Sequence, residues 1–381
     1  MTELSIRPFR VEIPQADIDD LKARLAQTRW PAQIPGQEWA KGVPVSYLQG
    51  LADYWANEFD WRAIETKINA YPQFVTEIDG QNFHFLHVRS DREDALPLLL
   101  CHGWPGSFIE FIDIIESLIN PAAGQAFHVV VPSLPGFGFS MPLAESKWTS
   151  SPVVGAALAT LMSALGYARY GVQGGDFGAF VAPDVARAAG DAVIGVHVNA
   201  ASYGFIPMGE VSEAELATFT DVEKQRLARL ANWHADMSAY FQIQATRPQT
   251  LSFGLSDSPV GQLAWIVEKF KEWTNQGKGE LPEDKVDRDH MLADVSIYWF
   301  TGTGTTSANM YWESMHATSW PQPTQVPVGV ATFAEDVSIR RYAEQSYNIV
   351  HWSDIDEGGH FAAMEAPELF VADVRTFFEN L

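Results

Sequence analysis

Asp176 lies in the run Tyr170-Gly171-Val172-Gln173-Gly174-Gly175-Asp176-Phe177-Gly178-Ala179-Phe180, where a strand-like stretch passes through glycines into a helix-like one. At so tight a corner, Gly174 and Gly178 are what close backbone approach requires, because a side chain there would strike the neighbouring chain. The pattern is a nucleophile elbow with Asp where Ser is usual. A carboxylate is already ionised near neutral pH and attacks without a base to deprotonate it. The electrophile that suits it is an sp³ carbon with a strained or good leaving group. The plainer alternative is a glycine-rich turn in which Asp176 only caps the following helix.

Two further segments could complete such chemistry. Glu357-Gly358-Gly359-His360-Phe361 follows the last strand-like run, and its glycines let the His360 imidazole reach over a sheet edge as a general base. The chain order nucleophile, acid, histidine then calls for a carboxylate after the preceding strand, where Glu335-Asp336 follows Val328 to Phe333. The run Leu98-Leu99-Leu100-Cys101-His102-Gly103-Trp104-Pro105-Gly106-Ser107 leaves a strand for a helix. A backbone N–H in that turn and the N–H of Phe177 can form an oxyanion hole. His102 reads as a turn residue bonded to backbone rather than as a catalyst. The Pro-Gly loop Pro132 to Ser140 shapes the same mouth.

These segments need a sheet to hold them. Phe74 to Ile78 and Phe83 to Val88 alternate across Asp79-Gly80, which reads as a hairpin. Leu96 to Leu100, Phe127 to Val131, Tyr170 to Gln173 and Val193 to Asn199 are short apolar runs separated by helical segments, among them Phe108 to Leu118 and Pro152 to Leu165. That is the pattern of repeated βαβ units. Sheet-like runs return at Val328 to Phe333 and Asn348 to Trp352, before a final helix with Leu369, Val374 and Phe377.

The intervening stretch is helical. Leu230, Trp233, Met237 and Tyr240 are expected on one helix face, and Leu263, Ile266, Val267 and Phe270 on another after a Ser258-Pro259 start. Four parts follow: a helical extension over residues 1–72, a core from 73 to 203, a helical lid from 204 to 321 after the sixth core strand, and a returning core from 322 to 381. A lid there covers the strand ends, where doubly wound sheets bind ligands.

Composition narrows the function. The 381 residues are 46 % apolar with 13 Trp and 23 Phe, which suits a globular enzyme with an aromatic cavity. Forty-eight acidic against 25 basic side chains give a formal charge of −23, which argues against nucleic acid and anionic membrane partners. The single cysteine, Cys101, excludes an internal disulfide or a cysteine-cluster metal site and reads as a buried structural thiol. No signal-peptide layout opens the chain, and the uncharged stretch Trp148 to Ala168 reads as a packed helix, so a cytoplasmic location is expected.

At its motifs the chain resembles the microsomal-type epoxide hydrolases of the α/β-hydrolase superfamily, over essentially its whole length. Ile6-Arg7-Pro8-Phe9, Trp30-Pro31 and Asp60-Trp61-Arg62 resemble that family's amino-terminal extension. His102-Gly103-Trp104-Pro105-Gly106-Ser107 is similar to its oxyanion loop, Gly174-Gly175-Asp176-Phe177-Gly178 to its nucleophile motif, and Gly358-Gly359-His360-Phe361 to its histidine motif. The membrane anchor of vertebrate members has no counterpart in this sequence.

The resemblance implies an α/β-hydrolase core with a mostly parallel doubly wound sheet, a helical lid insertion and a helical amino-terminal extension. It implies that an epoxide and water become a vicinal diol through a covalent ester on Asp176, with no metal or organic cofactor. By motif, Tyr240 in Ser238-Ala239-Tyr240-Phe241-Gln242-Ile243-Gln244 and Tyr311 in Asn309-Met310-Tyr311-Trp312-Glu313 take the places of two lid tyrosines that hold the epoxide oxygen. Tyr298 beside Trp299 reads as core. Counting places Asp336 as the acid behind His360, with Glu335 the alternative, and the amides of Trp104 and Phe177 as the oxyanion hole. The expected partners are a hydrophobic epoxide and water, with a homo-oligomer left open. Two rival functions remain: a haloalkane dehalogenase, which typically has Trp where Phe177 stands, and a non-catalytic ligand-binding scaffold, which usually loses part of the triad.

Overall fold

The computed structural model describes residues 4–36, 39–275, 277, 280–318 and 323–381. Its strands are β1 (Arg7–Phe9), β2 (Gln73–Ile78), β3 (Gln81–Val88), β4 (Leu96–Cys101), β5 (Phe127–Pro132), β6 (Tyr170–Gly175), β7 (Val193–Asn199), β8 (Thr324–Thr332) and β9 (Tyr347–Asp354). They form one sheet in the order β1-β2-β3-β5-β4-β6-β7-β8-β9. The pairs β1–β2, β2–β3 and β3–β5 are antiparallel and every later pair is parallel, giving the expected mostly parallel α/β-hydrolase sheet. The hairpin between β2 and β3 turns on Asp79 and Gly80, whose φ of 48° and 84° both lie in the left-handed region that a two-residue turn between twisted strands requires.

Parallel register decides where chemistry can sit. Cys101 pairs with Gly174, Gly175 with Asn199, Asn199 with Ala331, and Thr332 with Asp354. The carboxyl ends of β4, β6, β7, β8 and β9 therefore lie side by side along one edge, and the loops that leave them share one crevice. Near-continuous apolar strands such as Val129, Val130 and Val131 are fully buried, as a sheet covered on both faces demands. Helix Gly178–Ala189 packs on this sheet, and helix Ser151–Ala164 packs on it in turn.

Between β7 and β8 the described chain is helical. Ser258 caps the helix Pro259–Trp273 by accepting the N–H of Gly261, and Leu263, Ile266, Val267 and Phe270 are all buried, as their spacing predicts. The amino-terminal helices Gln15–Ala26, Val45–Asn57 and Trp61–Ile68 lie against this block. Trp55 donates its indole N–H to Ser296 Oγ at 2.9 Å, and the rings of Trp61 and Phe300 meet at 5.0 Å.

Local expectations fail in three places. β1 was not foreseen, because three residues carry no period; it is an edge strand, where Pro8 costs no ladder bond. It makes the lid follow the seventh strand rather than the sixth. Phe108 to Leu118 is not one helix but a 3₁₀ turn, Phe108–Phe111, and a short helix, Ile115–Ile119. Ser107 caps the turn at the Ile109 N–H, and the run of Ile and Phe is poor in helix formers. In the lid, a π-turn at Trp233–Met237 interrupts the helical period, so Leu230 and Tyr240 are buried while Trp233 and Met237 are half-buried. The boundary expected at 321/322 lies outside the described residues.

Candidate active site

Asp176 stands one residue beyond β6 with φ 54°, the left-handed conformation that a short polar side chain tolerates better than most. Its glycine neighbours are there for contact. A Cβ on Gly174 would lie 2.0 Å from the Gly178 carbonyl oxygen, and one on Gly178 would lie 2.0 Å from the Cys101 carbonyl oxygen. A Cβ on Gly103 would strike the Asp176 carboxylate itself, 2.3 Å from Oδ1. The tight corner thus presses the carboxylate against the loop after β4.

That loop answers with backbone donors. The Trp104 N–H donates to Asp176 Oδ1 at 2.9 Å, and the Phe177 N–H also bonds the carboxylate. Burial nevertheless outweighs these two donors and pushes the Asp176 carboxyl up to about 7. His102 sits beneath the loop: its Nδ1 donates to the Gly103 carbonyl at 3.0 Å, while Nε2 accepts the Leu134 N–H at 3.1 Å. Both ring nitrogens are spent on backbone, as a turn residue requires. Cys101 is fully buried, which pushes its thiol up and suits a structural role.

His360 arrives from the loop after β9. Its own N–H donates to the Trp273 carbonyl at 2.9 Å, and a Cβ on Gly359 would lie 2.5 Å from that same oxygen. The lid helix therefore ends on the histidine loop. His360 Nε2 is 3.7 Å from Asp176 Oδ2, and burial lowers the imidazole to about 4, so it is neutral and free to accept a proton.

The two candidate acids part company. Glu335 faces Arg229 at 3.5 Å near the surface, whereas Asp336 is buried. Asp336 accepts the N–H of Ala200 at 3.1 Å and of Ser338 at 2.6 Å. No hydrogen bond or ion pair joins Asp336 to His360, so the expected acid–histidine contact is not made in this structure, although Ala334 and Gly358 hold the two loops together at 3.1 Å. One N–H on each oxygen leaves a lone pair on each, so the Asp336 carboxylate keeps the capacity to accept a further donor.

Over Asp176 the lid supplies an aromatic chamber. Tyr240 stacks on Trp104 at 5.4 Å, and Tyr311 meets Trp104 edge-on at 5.6 Å and Phe177 at 4.7 Å. The two tyrosine rings are 6.0 Å apart at 88°. Burial and then neighbouring groups, the Asp176 charge among them, hold both phenols well above the ordinary range, so both remain protonated donors. The Lys269 ammonium lies 4.4 Å from the Tyr240 ring centre, pinned by Glu268 and Glu272. Tyr298, read as core, is fully buried and donates to the Gly106 carbonyl at 2.8 Å.

Two site carboxylates went unnoticed in the sequence. Glu365 accepts the N–H groups of Asn275 at 2.9 Å and Phe361 at 3.0 Å, so it cradles the histidine loop. Glu110 lines a cavity of about 10 Å³ together with Asp176, His360 and Asn199. Their spacing from the two motifs, five residues after His360 and three after Ser107, was the available signal. A larger cavity of about 110 Å³ among the amino-terminal helices, lined by Trp55, Trp61 and Phe300, lies away from this chemistry. Among the described residues no three His, Cys, Asp or Glu side chains converge as metal ligands, and no helix is long and apolar enough to cross a membrane.

Comparison with known proteins adds to this geometry. Residues 6–111 match the family described as epoxide hydrolase N terminus, and residues 97–312 match the alpha/beta hydrolase fold. Epoxide hydrolase 1 of Sus scrofa is 33 % identical over 411 residues, covering 98 % of this chain and 88 % of that protein. The structure of Aspergillus niger epoxide hydrolase is similar with a TM-score of 0.88 at 33 % identity, covering 99 % of this chain and 97 % of that one. The crystal structure of juvenile hormone epoxide hydrolase from the silkworm Bombyx mori also reaches 0.88, at 30 % identity, over 99 % and 95 % of the two chains.

Proposed function

The chain belongs to the epoxide hydrolase family of α/β-hydrolases, and from that premise we propose that it converts a hydrophobic epoxide and water to a vicinal diol through an ester on Asp176. One observation carries the reading: a carboxylate held by two amides lies beneath two protonated phenols and beside a neutral imidazole. An Asp176 oxygen attacks an epoxide carbon while Tyr240 and Tyr311 donate to the ring oxygen, and one phenol gives its proton to the alkoxide as the C–O bond breaks. His360 then takes a proton from water, whose oxygen attacks the ester carbonyl. The N–H groups of Trp104 and Phe177 hold the oxyanion that forms.

Asp336 is assigned the acid role over Glu335, because its charge is buried and Glu335 is turned to Arg229. A shift of the Asp336 loop onto the imidazole as it becomes charged belongs to this reading. The apolar walls of Trp104, Phe177, Trp233 and Phe241 favour a hydrophobic substrate. A cytoplasmic location is part of the proposal, supported by one buried cysteine and the acidic balance.

The test is His360→Gln with a terminal aryl epoxide. Step one needs no base, so the variant should form the ester and stall, and mass spectrometry should find enzyme plus substrate mass on the Asp176 peptide. Turnover at the parent rate, or an adduct on another residue, refutes the assignment.

A further inference from the structure

Glu110 has no part in the chemistry assigned so far, yet it is placed within it. It belongs to the 3₁₀ turn Phe108–Phe111, three residues after Ser107, and its side chain folds back under the oxyanion loop. A Cβ on Gly106 would lie only 1.5 Å from Glu110 Oε1, so Gly106 is what leaves room for the carboxyl. Glu110 lines the cavity of about 10 Å³ that Asp176, His360 and Asn199 also line, and neither Tyr240 nor Tyr311 is among its lining residues. No group among the described residues hydrogen-bonds it, whereas Asn199 Oδ1 is fixed by Gln173 at 2.8 Å.

The size of this space selects its occupant. It is far too small for an epoxide and close to the room one water needs, and a buried water needs two to four polar partners. We propose that Glu110 is a catalytic residue of the hydrolytic step: its carboxyl and the His360 imidazole together hold the water that attacks the Asp176 ester. The inference rests on the covalent reading above.

The step balances as follows. The water oxygen bonds to Asp176 Cγ, one water proton passes to His360 Nε2, and the carbonyl electron pair moves onto the oxyanion. Collapse breaks the ester C–O bond, and the departing diol oxygen takes the proton back from the imidazolium. The second water hydrogen, hydrogen-bonded to Glu110, ends on the Asp176 carboxyl. Its release restores the carboxylate and replaces the proton the phenols gave in step one. Burial first, then the Asp294 and Asp176 charges, hold the Glu110 carboxyl well above the usual carboxylate range, and its oxygens are placed to accept the second water hydrogen. Esterification removes the Asp176 charge, which makes the same carboxyl a better acceptor when hydrolysis begins.

The experiment compares the parent, Glu110→Gln, Glu110→Leu and His360→Gln with styrene oxide in single turnovers. Stopped-flow tryptophan fluorescence reads ester formation, quenched mass spectrometry reads ester decay, and thermal melts report folding. Glu110→Leu should lengthen the life of the ester by at least about 10-fold, at the low end of what a positioned proton-transfer group supplies, and leave ester formation within about 3-fold. Glu110→Gln keeps two hydrogen-bonding atoms and should recover part of the loss even if the Leu variant folds badly. Ester decay at the parent rate in both variants, or formation and decay slowed alike, overturns the role of Glu110. Absence of any ester in His360→Gln overturns the covalent reading instead.

Discussion

Replacing Asp176 by Asn should abolish turnover and at the same time make the folded protein more stable at pH 8. Burial raises the Asp176 carboxyl from 3.8 to about 7 in the folded chain. A shift of roughly 3 units at 1.36 kcal/mol each sets a ceiling of about 4 kcal/mol on what the ionised group costs the fold. The folded state binds this proton more tightly than the unfolded one, so stability falls as pH rises from about 4 to about 7, and the whole cost is present above that. The side chain keeps 24 % of its surface open, and an Asn amide would turn one donor towards another at Phe177, so roughly 1–2 kcal/mol should survive. Asn also accepts the left-handed φ of 54° without added strain. Melts of parent and variant across pH 4 to 8 should show no advantage at the acid end and one of about a few degrees at pH 8. A variant less stable than the parent at pH 8, or a difference independent of pH, refutes the reasoning.

Asp336→Asn should slow ester hydrolysis about 100-fold or more while Glu335→Gln changes it little, in a single-turnover assay; the reverse order would move the acid to Glu335. Tyr240→Phe and Tyr311→Phe should each slow ester formation towards the low end of about 10²- to 10⁴-fold, and the double variant should be nearly inactive. Stopped-flow fluorescence decides this, and a double variant that forms ester at the parent rate would remove the phenols from the mechanism.

The readable parts of the sequence were those in which one residue type has one physical use. Gly174 and Gly178 announce a corner because nothing larger fits within 2.0 Å of a carbonyl oxygen. Asp79-Gly80 announces a hairpin because both positions need positive φ. The helix Pro259–Trp273 kept its period, with a capped start and one buried face. What stayed hidden depended on the third dimension. Glu110 and Glu365 look like surface acids until the turn and the histidine loop fold around them. The π-turn at Trp233–Met237 leaves no mark in the hydrophobic pattern except that the period fails after Leu230. The Asp336–His360 contact, expected by counting, is not made, and what the carboxylate accepts instead, the amides of Ala200 and Ser338, leaves no mark in the sequence.

The amino-terminal extension and the lid also reach the chemistry by contacts that no motif marks. Trp55 of the extension bonds Ser296 on the helix Arg288–Thr301. Two residues before Ser296 on that helix, Asp294 accepts the Ser107 hydroxyl at 2.6 Å, and one turn on from Asp294 Tyr298 donates to the Gly106 carbonyl at 2.8 Å. Asp294 is fully buried, and burial pushes its carboxyl up to about 8, so this bond lies in a dry interior where geometry is tightly held. The residues so gripped, Gly106 and Ser107, are the end of the loop whose Trp104 N–H meets Asp176 at 2.9 Å. The same lid block grips the other side, where Trp273 accepts the His360 N–H at 2.9 Å. Asp176, the Trp104 amide and His360 are therefore positioned from above as well as from the sheet, and a displacement of this helical block by even an ångström would carry Trp104 and His360 with it.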